Sequence, residues 1–469
     1  MSGIRCGSAR EWAVANFGQV PLHAAQRAQV VRVATLALLR PSGTVAGTSR
    51  LDADRQSIYG FAEGPVEHTA LVNSLCDATV DRCGSDPFVF LPIDGSSVAV
   101  TDRAAKKGTG RVGSPPRQGR GIKTMTAMAV SPQGTPLGVA AMRFWARGPK
   151  LSGNHQAKPI QERESYKWIE VAREVQERFD ARGLGCKPWF QLDREGDFPE
   201  MLLLATEEKM LLTVRARCDR RLLGGGRLKA RIMRSRPLGQ YALQIPARHG
   251  HPARLARIDV RSCAVQIEVE EKPSRRPHIV AMTAVMAREV GHVHGQTRIE
   301  WTLLTTMTVN SFATARLVIN GYARRWSIEE FFRVWKSGVC NVESMQLRSF
   351  GAMTKWATIL AVAATRAIYL AQIAREKPDA AATEAFSDAD LEALIVLRKP
   401  KGVEPGDPIT IKQAVRWVAD LGGYVGNNRS GEPGKITIGR GLLDLEVAVL
   451  AIAAYKTATA RRGKRFTKS

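Results

Sequence analysis

The chain has 469 residues, with 69 Lys and Arg against 44 Asp and Glu, for a formal net charge of +25. Its 44% hydrophobic and 24% charged residues fit a globular protein of roughly two to four domains and exclude a collagenous or wholly disordered chain. The basic residues are spread along the whole length, which favours a polyanionic partner, nucleic acid ahead of a membrane surface.

The opening Met1-Ser-Gly-Ile-Arg-Cys-Gly7 lacks the apolar core of a signal peptide. Ala9 to about Leu75 reads as helical, and Ala24 to Leu39 is an amphipathic segment with Arg27 and Arg32 among Val and Leu. Phe88-Val-Phe-Leu-Pro-Ile93 is a short apolar run ending at Asp94, the pattern of a buried strand that delivers a carboxylate at its end. A Gly- and Lys/Arg-rich loop follows from Ala104 to Arg120. Within it, Gly108-Thr-Gly-Arg-Val-Gly113 fits G-x-G-x-x-G, but a dinucleotide fingerprint must open a helix, and Ser114-Pro115-Pro116 comes next. The segment reads as a basic loop. Lys123 to Val130 and Leu137 to Ala146 are strand-like and joined through Pro132-Gln-Gly-Thr-Pro136, a hairpin signal.

Glu162 to Phe179 is helical, with Trp168, Val171, Val175 and Phe179 spaced for one face. Trp189-Phe-Gln-Leu192 reads as a second short strand ending on a carboxylate, Asp193. From about Thr206 to Ile299 the pattern changes to alternation (Leu211–Arg217, Gln240–Ile245, Ala256–Val269, His278–Met286), which predicts a mostly β insertion. Arg220, Arg221, Arg227, Lys229, Arg231, Arg234 and Arg236 make one of its loops strongly basic. The pairs His249/His251 and His292/His294 have no Cys or carboxylate at a matching spacing and read as surface residues.

From Ala352 the chain is helical again. Trp356 to Ala374 is its most apolar long stretch, but Arg366 inside it points to a buried helix, not a membrane span. A polar, Pro-containing region from Glu376 to Pro408 precedes a last helical unit, Ile411 to Tyr455, and a basic tail with Arg461, Arg462, Lys464, Arg465 and Lys468. The 7 cysteines form no C-x-x-C pair, as in a reduced cytosolic protein, and the expected location is the cytoplasm or nucleoid.

The most informative stretch is Tyr322-Ala-Arg-Arg-Trp-Ser-Ile-Glu-Glu-Phe-Phe-Arg-Val-Trp-Lys336. At about 100° per residue, Tyr322, Arg325, Glu329 and Lys336 fall within an arc of roughly 60° on a single helix. Ile328, Phe331, Phe332 and Trp335 fill the neighbouring arc, the stripe pressed onto a core. Asp94, Asp193 and Glu329 together make an oxygen-rich set suited to two hard divalent cations, which would clamp the attacking and leaving oxygens of an in-line phosphoryl transfer.

The Tyr322, Arg325, Glu329, Lys336 spacing is similar to the Y-R-E-K signature of bacterial cut-and-paste DDE transposases of the insertion-sequence-four family, the transposon-five type. Ile93-Asp94-Gly-Ser-Ser resembles that family's first aspartate segment, and Asp193-Arg194-Glu195-Gly-Asp197 its second. Glu164-Ser165-x-Lys167-Trp168, Trp301-Thr-Leu-Leu-Thr305, Leu421-Gly422-Gly423 and Pro433-Gly434 also look like family segments. The chain departs from the pattern at Tyr59-Gly60-Phe61, at His23-Ala-Ala-Gln-Arg27 and at Gly439-Arg440-Gly441.

The resemblance implies an α/β fold: an RNase H-like catalytic core (76–375) interrupted by a β insertion (about 206–299). A helical DNA-binding domain (1–75) would precede it and a helical dimerisation domain with the basic tail (376–469) would follow. It implies Asp94, Asp193 and Glu329 as catalytic ligands of two Mg²⁺ or Mn²⁺ ions. Tyr322, Arg325 and Lys336 would hold the end phosphate, and Trp301 would stack on a base flipped out during hairpin formation. Arg215 and Arg27 would be further DNA contacts. The implied partners are double-stranded DNA, both transposon ends and target, and a second copy of the chain in a synaptic complex, with no membrane. The alternative is a non-catalytic relative that only binds DNA ends, an inhibitor or a domesticated protein.

Overall fold

A computed structural model describes residues 8–113, 118–148, 158–245, 253–291, 298–426 and 431–466, with side chains described as far as Thr459. Ser114 to Pro116, both histidine pairs, Cys6 and Lys468 lie outside the described residues, as do the side chains of Arg461, Arg462, Lys464 and Arg465.

The apolar runs and alternating segments become strands of one 10-stranded sheet. They are β1 (Phe88–Ala99), β2 (Gly110–Val112), β3 (Gly119–Val130), β4 (Pro136–Trp145), β5 (Lys187–Leu192), β6 (Leu211–Arg215), β7 (Pro237–Ile245), β8 (Arg254–Glu270), β9 (Pro277–Val290) and β10 (Glu300–Thr305). Their order is β2-β3-β1-β5-β6-β10-β9-β8-β7, with β4 also paired to β3. β3 lies antiparallel between β1 and β4, whereas β1, β5 and β6 run parallel. This mixed arrangement is consistent with an RNase H-like core. The Gly108 to Gly113 segment leads into β2 and opens no helix.

Alternation along the strands sorts the core into two layers. Val89, Leu91, Ile93, Phe190 and Leu192 face one side, where α6 (Tyr166–Ala181) lays down Trp168, Val171, Val175 and Phe179. Phe90 and Trp189 face the other, covered by α9 (Phe312–Arg324), α10 (Trp326–Lys336) and α11 (Phe350–Glu376). Gly321 of α9 lies so close to the sheet that a Cβ there would stand 2.5 Å from Cε1 of Phe90. Ser311 and Ser349 start α9 and α11 as N-caps, each accepting from the backbone N–H three residues on (3.1 Å to Thr314, 3.1 Å to Ala352).

Leu211–Arg215 alternates like the segments after it and was expected in the insertion. It is instead β6, a parallel neighbour of β5 inside the core sheet. The remaining insertion strands do not form a separate sheet either. β9 pairs with β10, and β8 and β7 follow, so they extend the same sheet.

α11 is the one described helix long and apolar enough to cross a membrane, and 89% of its most apolar window is buried inside the protein. Helices of both ends cover it: α1 (Ala9–Phe17), α2 (Ala24–Leu39), α4 (Asp52–Glu63) and α5 (His68–Asp81) from the first part of the chain, with α3 (Val45–Thr48) packed on α2 and α4, and α13 (Ile411–Leu421) and α14 (Lys435–Phe466) from the last, with α12 (Asp388–Arg398) packed on both. Trp12 meets Tyr369 edge-on (6.1 Å), and Arg366 donates to Glu446 (2.7 Å) with both side chains buried. α12 occupies part of the stretch read as polar linker. Its start is fixed by a capping box between Ser387 and Asp390.

Candidate active site

The parallel pairing of β1 and β5 sets Pro92 opposite Gln191. Two residues further along each strand, Asp94 and Asp193 come level and on one face, because side chains alternate with a period of two. That face is the one packed by α9 and α10. Asp193 ends β5 and caps a short 3-10 turn, its Oδ1 accepting from Glu195 N (2.7 Å). Asp94 does not end its strand as expected. β1 continues to Ala99, with Asp94 opposite Thr126 of β3, and Oδ1 accepts from Gly95 N (2.7 Å).

The single helix expected from Tyr322 to Lys336 is broken at Arg325, which ends α9 and precedes α10. Arg325 keeps helical angles (φ −51°, ψ −30°), so the break interrupts the hydrogen bonding and leaves Tyr322, Arg325 and Glu329 on one side. Arg325 Nη2 donates to Glu329 Oε1 (2.6 Å), and Nη1 lies 3.6 Å from Asp94 Oδ2. One buried guanidinium thus joins the first and third carboxylates. Burial works against its charge, yet the bond to Glu329 and the nearby Tyr322 and Asp94 raise its pKa.

Burial and the neighbouring Asp193 push the Asp94 carboxyl up to about 7, against the pull of Arg325 and the Gly95 N–H, with Glu329 adding to the rise. The three acids therefore share one electrostatic site. Among the described residues, however, no three His, Cys, Asp or Glu side chains stand close enough together to form a ready-made metal cage. Arg325 takes part of the space between Asp94 and Glu329. In kind, the donors fit a hard divalent ion: they are carboxylate oxygens on a face where one cation balances three acids.

The aromatic residues sit against this cluster. Tyr322 is buried and meets Trp301 of β10 edge-on (5.1 Å, 75°). The Arg325 guanidinium lies 5.9 Å from the Tyr322 ring and 6.0 Å from that of Trp326, which is 51% exposed. Arg215 stands at the edge of the group, donating to Glu300 O (3.2 Å), the residue before Trp301. Lys336, two turns beyond Glu329, faces Glu343 (3.5 Å), which also accepts from Ala99 N at the far end of β1 (3.4 Å). Arg27 belongs to α2, which packs on the α11 hub, away from this group.

Two residues near the site went unread in the sequence. Lys123 of β3 is held below the usual lysine range by burial, by Arg147 and by Lys336, while Glu164 and Glu195 oppose that shift. Its signal was one cation inside an otherwise uncharged strand interior, Ile122 to Val130. Asp197, with a fully buried side chain, accepts from Arg217 N (2.7 Å) and Arg220 Nε (3.0 Å), fixing the turn that follows Asp193.

Residues 150–366 match the family model described as Transposase DDE domain. The match supports a DDE transposase. It spans just under half of the chain and contains Asp193, Glu329, Tyr322, Arg325, Lys336, Trp301 and Arg215. Asp94 lies before it, so its place beside the other two acids rests on the strand register and on its contact with Arg325.

Proposed function

We propose that the chain is an active cut-and-paste transposase of the insertion-sequence-four type, with Asp94, Asp193 and Glu329 as its catalytic acids. The observation that carries this reading is the meeting of β1, β5 and α10, where Arg325 bonds Glu329 and lies 3.6 Å from Asp94 while the strand register brings Asp193 level with Asp94. Mg²⁺ or Mn²⁺ held by these three residues would supply Lewis-acid polarisation of phosphate oxygens and would lower the pKa of an attacking hydroxyl.

The protein's own groups do the rest. Arg325 is a ready phosphate ligand, because its planar fork can move from Glu329 Oε1 to a non-bridging phosphate oxygen. That exchange would free Glu329 and Asp94 to act as ligands. Tyr322, whose ring lies 5.9 Å from the Arg325 guanidinium and edge-on to Trp301, would help position both. Trp301 would stack on a base extruded while the freed 3′-OH attacks the opposite strand to close a hairpin, offsetting an unstacking cost of about 1–3 kcal/mol. Opening of that hairpin and joining of the 3′-OH to target DNA are further in-line displacements at phosphorus in the same site. Two protomers would pair two ends, and the protein would work on the nucleoid.

The second reading, a relative that binds DNA ends without cutting them, draws on the same guanidinium: Arg325 seated between two acids would block metal entry if it did not move. Incubation of an end-bearing duplex with Mg²⁺ separates the two. Strand breaks made by the wild type and abolished in Asp94→Asn, Asp193→Asn and Glu329→Gln, with end binding retained, are expected. Normal nicking by any of these variants would refute the assignment.

A further inference from the structure

Between β6 and β7 the chain makes a tight antiparallel turn in which Arg221 bridges to Arg227. Like charges directly opposite one another in an antiparallel pair oppose folding, so other contacts must hold this turn in place. Leu222, Leu228 and Ile232 are buried beneath it. Leu223 N donates to Gln266 O (2.9 Å) and Glu268 N to Arg221 O (3.4 Å), fastening the turn to β8. At its root, Asp197 grips Arg217 N and the Arg220 guanidinium. Asp197 closes the short turn that begins at Asp193, so the basic element stands on the segment presenting that carboxylate.

The tip is equally specific. Gly224, Gly225 and Gly226 have φ of 77°, 94° and 90°, and a Cβ at any of them would meet open space. A run of left-handed residues is readily open only to glycine, and it leaves a narrow tip of bare backbone between two arginines. The short helix α8 (Leu228–Arg234) that follows exposes Arg231 and Arg234 while burying Leu228 and Ile232. Arg220 is tied to Asp197 and Lys229 to Glu300 (2.9 Å). Among the described residues no carboxylate lies within ion-pair reach of Arg221, Arg227, Arg231 or Arg234. Arg227 donates only to a backbone oxygen, Asp219 O (3.0 Å).

We propose that this turn and α8 form a sequence-independent grip on DNA backbone phosphates, rooted on the turn that follows Asp193, an inference that rests on the transposase reading only for the identity of the polyanion. A phosphate held by two arginines paired across the turn offsets their repulsion and accepts charge-assisted hydrogen bonds from both. Phosphate contacts position a duplex and carry no base identity.

The test is fluorescence anisotropy without divalent metal, over a range of salt concentrations, on an end-bearing duplex and a scrambled one. The proteins compared are the wild type, the triple variant Arg221→Gln, Arg227→Gln, Arg231→Gln, and its Arg→Lys counterpart. The Gln variant is expected to weaken binding to both duplexes alike and to reduce the slope of log K against log salt by roughly 3, about one per lost phosphate contact. The Lys variant should keep the wild-type slope. An unchanged slope in the Gln variant, an equal loss in the Lys variant, or weakening confined to the end-bearing duplex would overturn the grip. A wild type that binds with its full slope yet leaves DNA uncut in Mg²⁺ would sink the transposase reading and leave the grip standing.

Discussion

Arg325 is the residue on which the site turns, because it satisfies two acids that the chemistry would ask it to release. Without a cation, Asp94 and Asp193 repel each other across adjacent strands, and that repulsion destabilises the folded protein. Asp193→Asn should therefore raise Tm in metal-free buffer, by up to about 1 kcal/mol of stability. Added Mn²⁺ should stabilise the wild type and leave this variant unmoved, since only a ligand bound to the native state shifts the equilibrium. Scanning calorimetry with and without Mn²⁺ checks both, independently of any cleavage assay. Much of this site was legible in the sequence: Asp193 follows an apolar run that stops, and Glu329 sits on a four-residue spacing with Arg325. What the sequence concealed was each cation's present partner. Nothing local links Arg325 to Asp94, because that pair forms only when β1 lies against α10, and the pairing of Lys336 with Glu343 depends on how the chain turns after α10.

At the scale of elements, the α9–α10 pair shows why a helical wheel was nearly right. A residue that keeps helical angles where the hydrogen-bond pattern is interrupted preserves the arc that the wheel draws, so the arrangement of Tyr322, Arg325 and Glu329 survives the break. The wheel could not show why Gly321 precedes Tyr322. The close approach of Phe90 explains it, since a methyl group there must push a fully buried ring or lift α9 from the sheet. Gly321→Ala is expected to cost about 1–3 kcal/mol, despite the better helix propensity of alanine. Urea denaturation would measure that cost, and cleavage should fall with it as Tyr322 and Arg325 shift. Strand β1 was read only to Asp94 because the apolar run stops at Ile93. Its continuation is dictated by pairing with β3, a contact that local pattern does not reveal.

For the whole molecule, the decisive feature is α11, which the first and last helices of the chain enclose together. Arg366 and Glu446 form its buried polar join. Removing one partner of such a pair leaves a charge without compensation, so Arg366→Met should lower stability by about 3–5 kcal/mol. A single cooperative unfolding transition at lower denaturant would match that account; an unchanged midpoint would contradict it. Apolar periodicity and the family resemblance divide the chain into helical ends and a mixed core. Composition cannot show that the ends share a core, because burial of α11 depends on segments over 300 residues apart.

Among the described residues, the extra strands β7 to β9 continue the core sheet through β10 and are joined to the carboxylate-bearing strands by unbroken strand pairing. A pull on the arginine-bearing turn would be borne by a ladder of interstrand bonds, and would reach β5 as a change of twist. Proteolytic nicks in the connecting loops should accordingly leave the pieces associated under native conditions. Motion on binding would then appear as bending of a continuous surface and not as the swing of an arm.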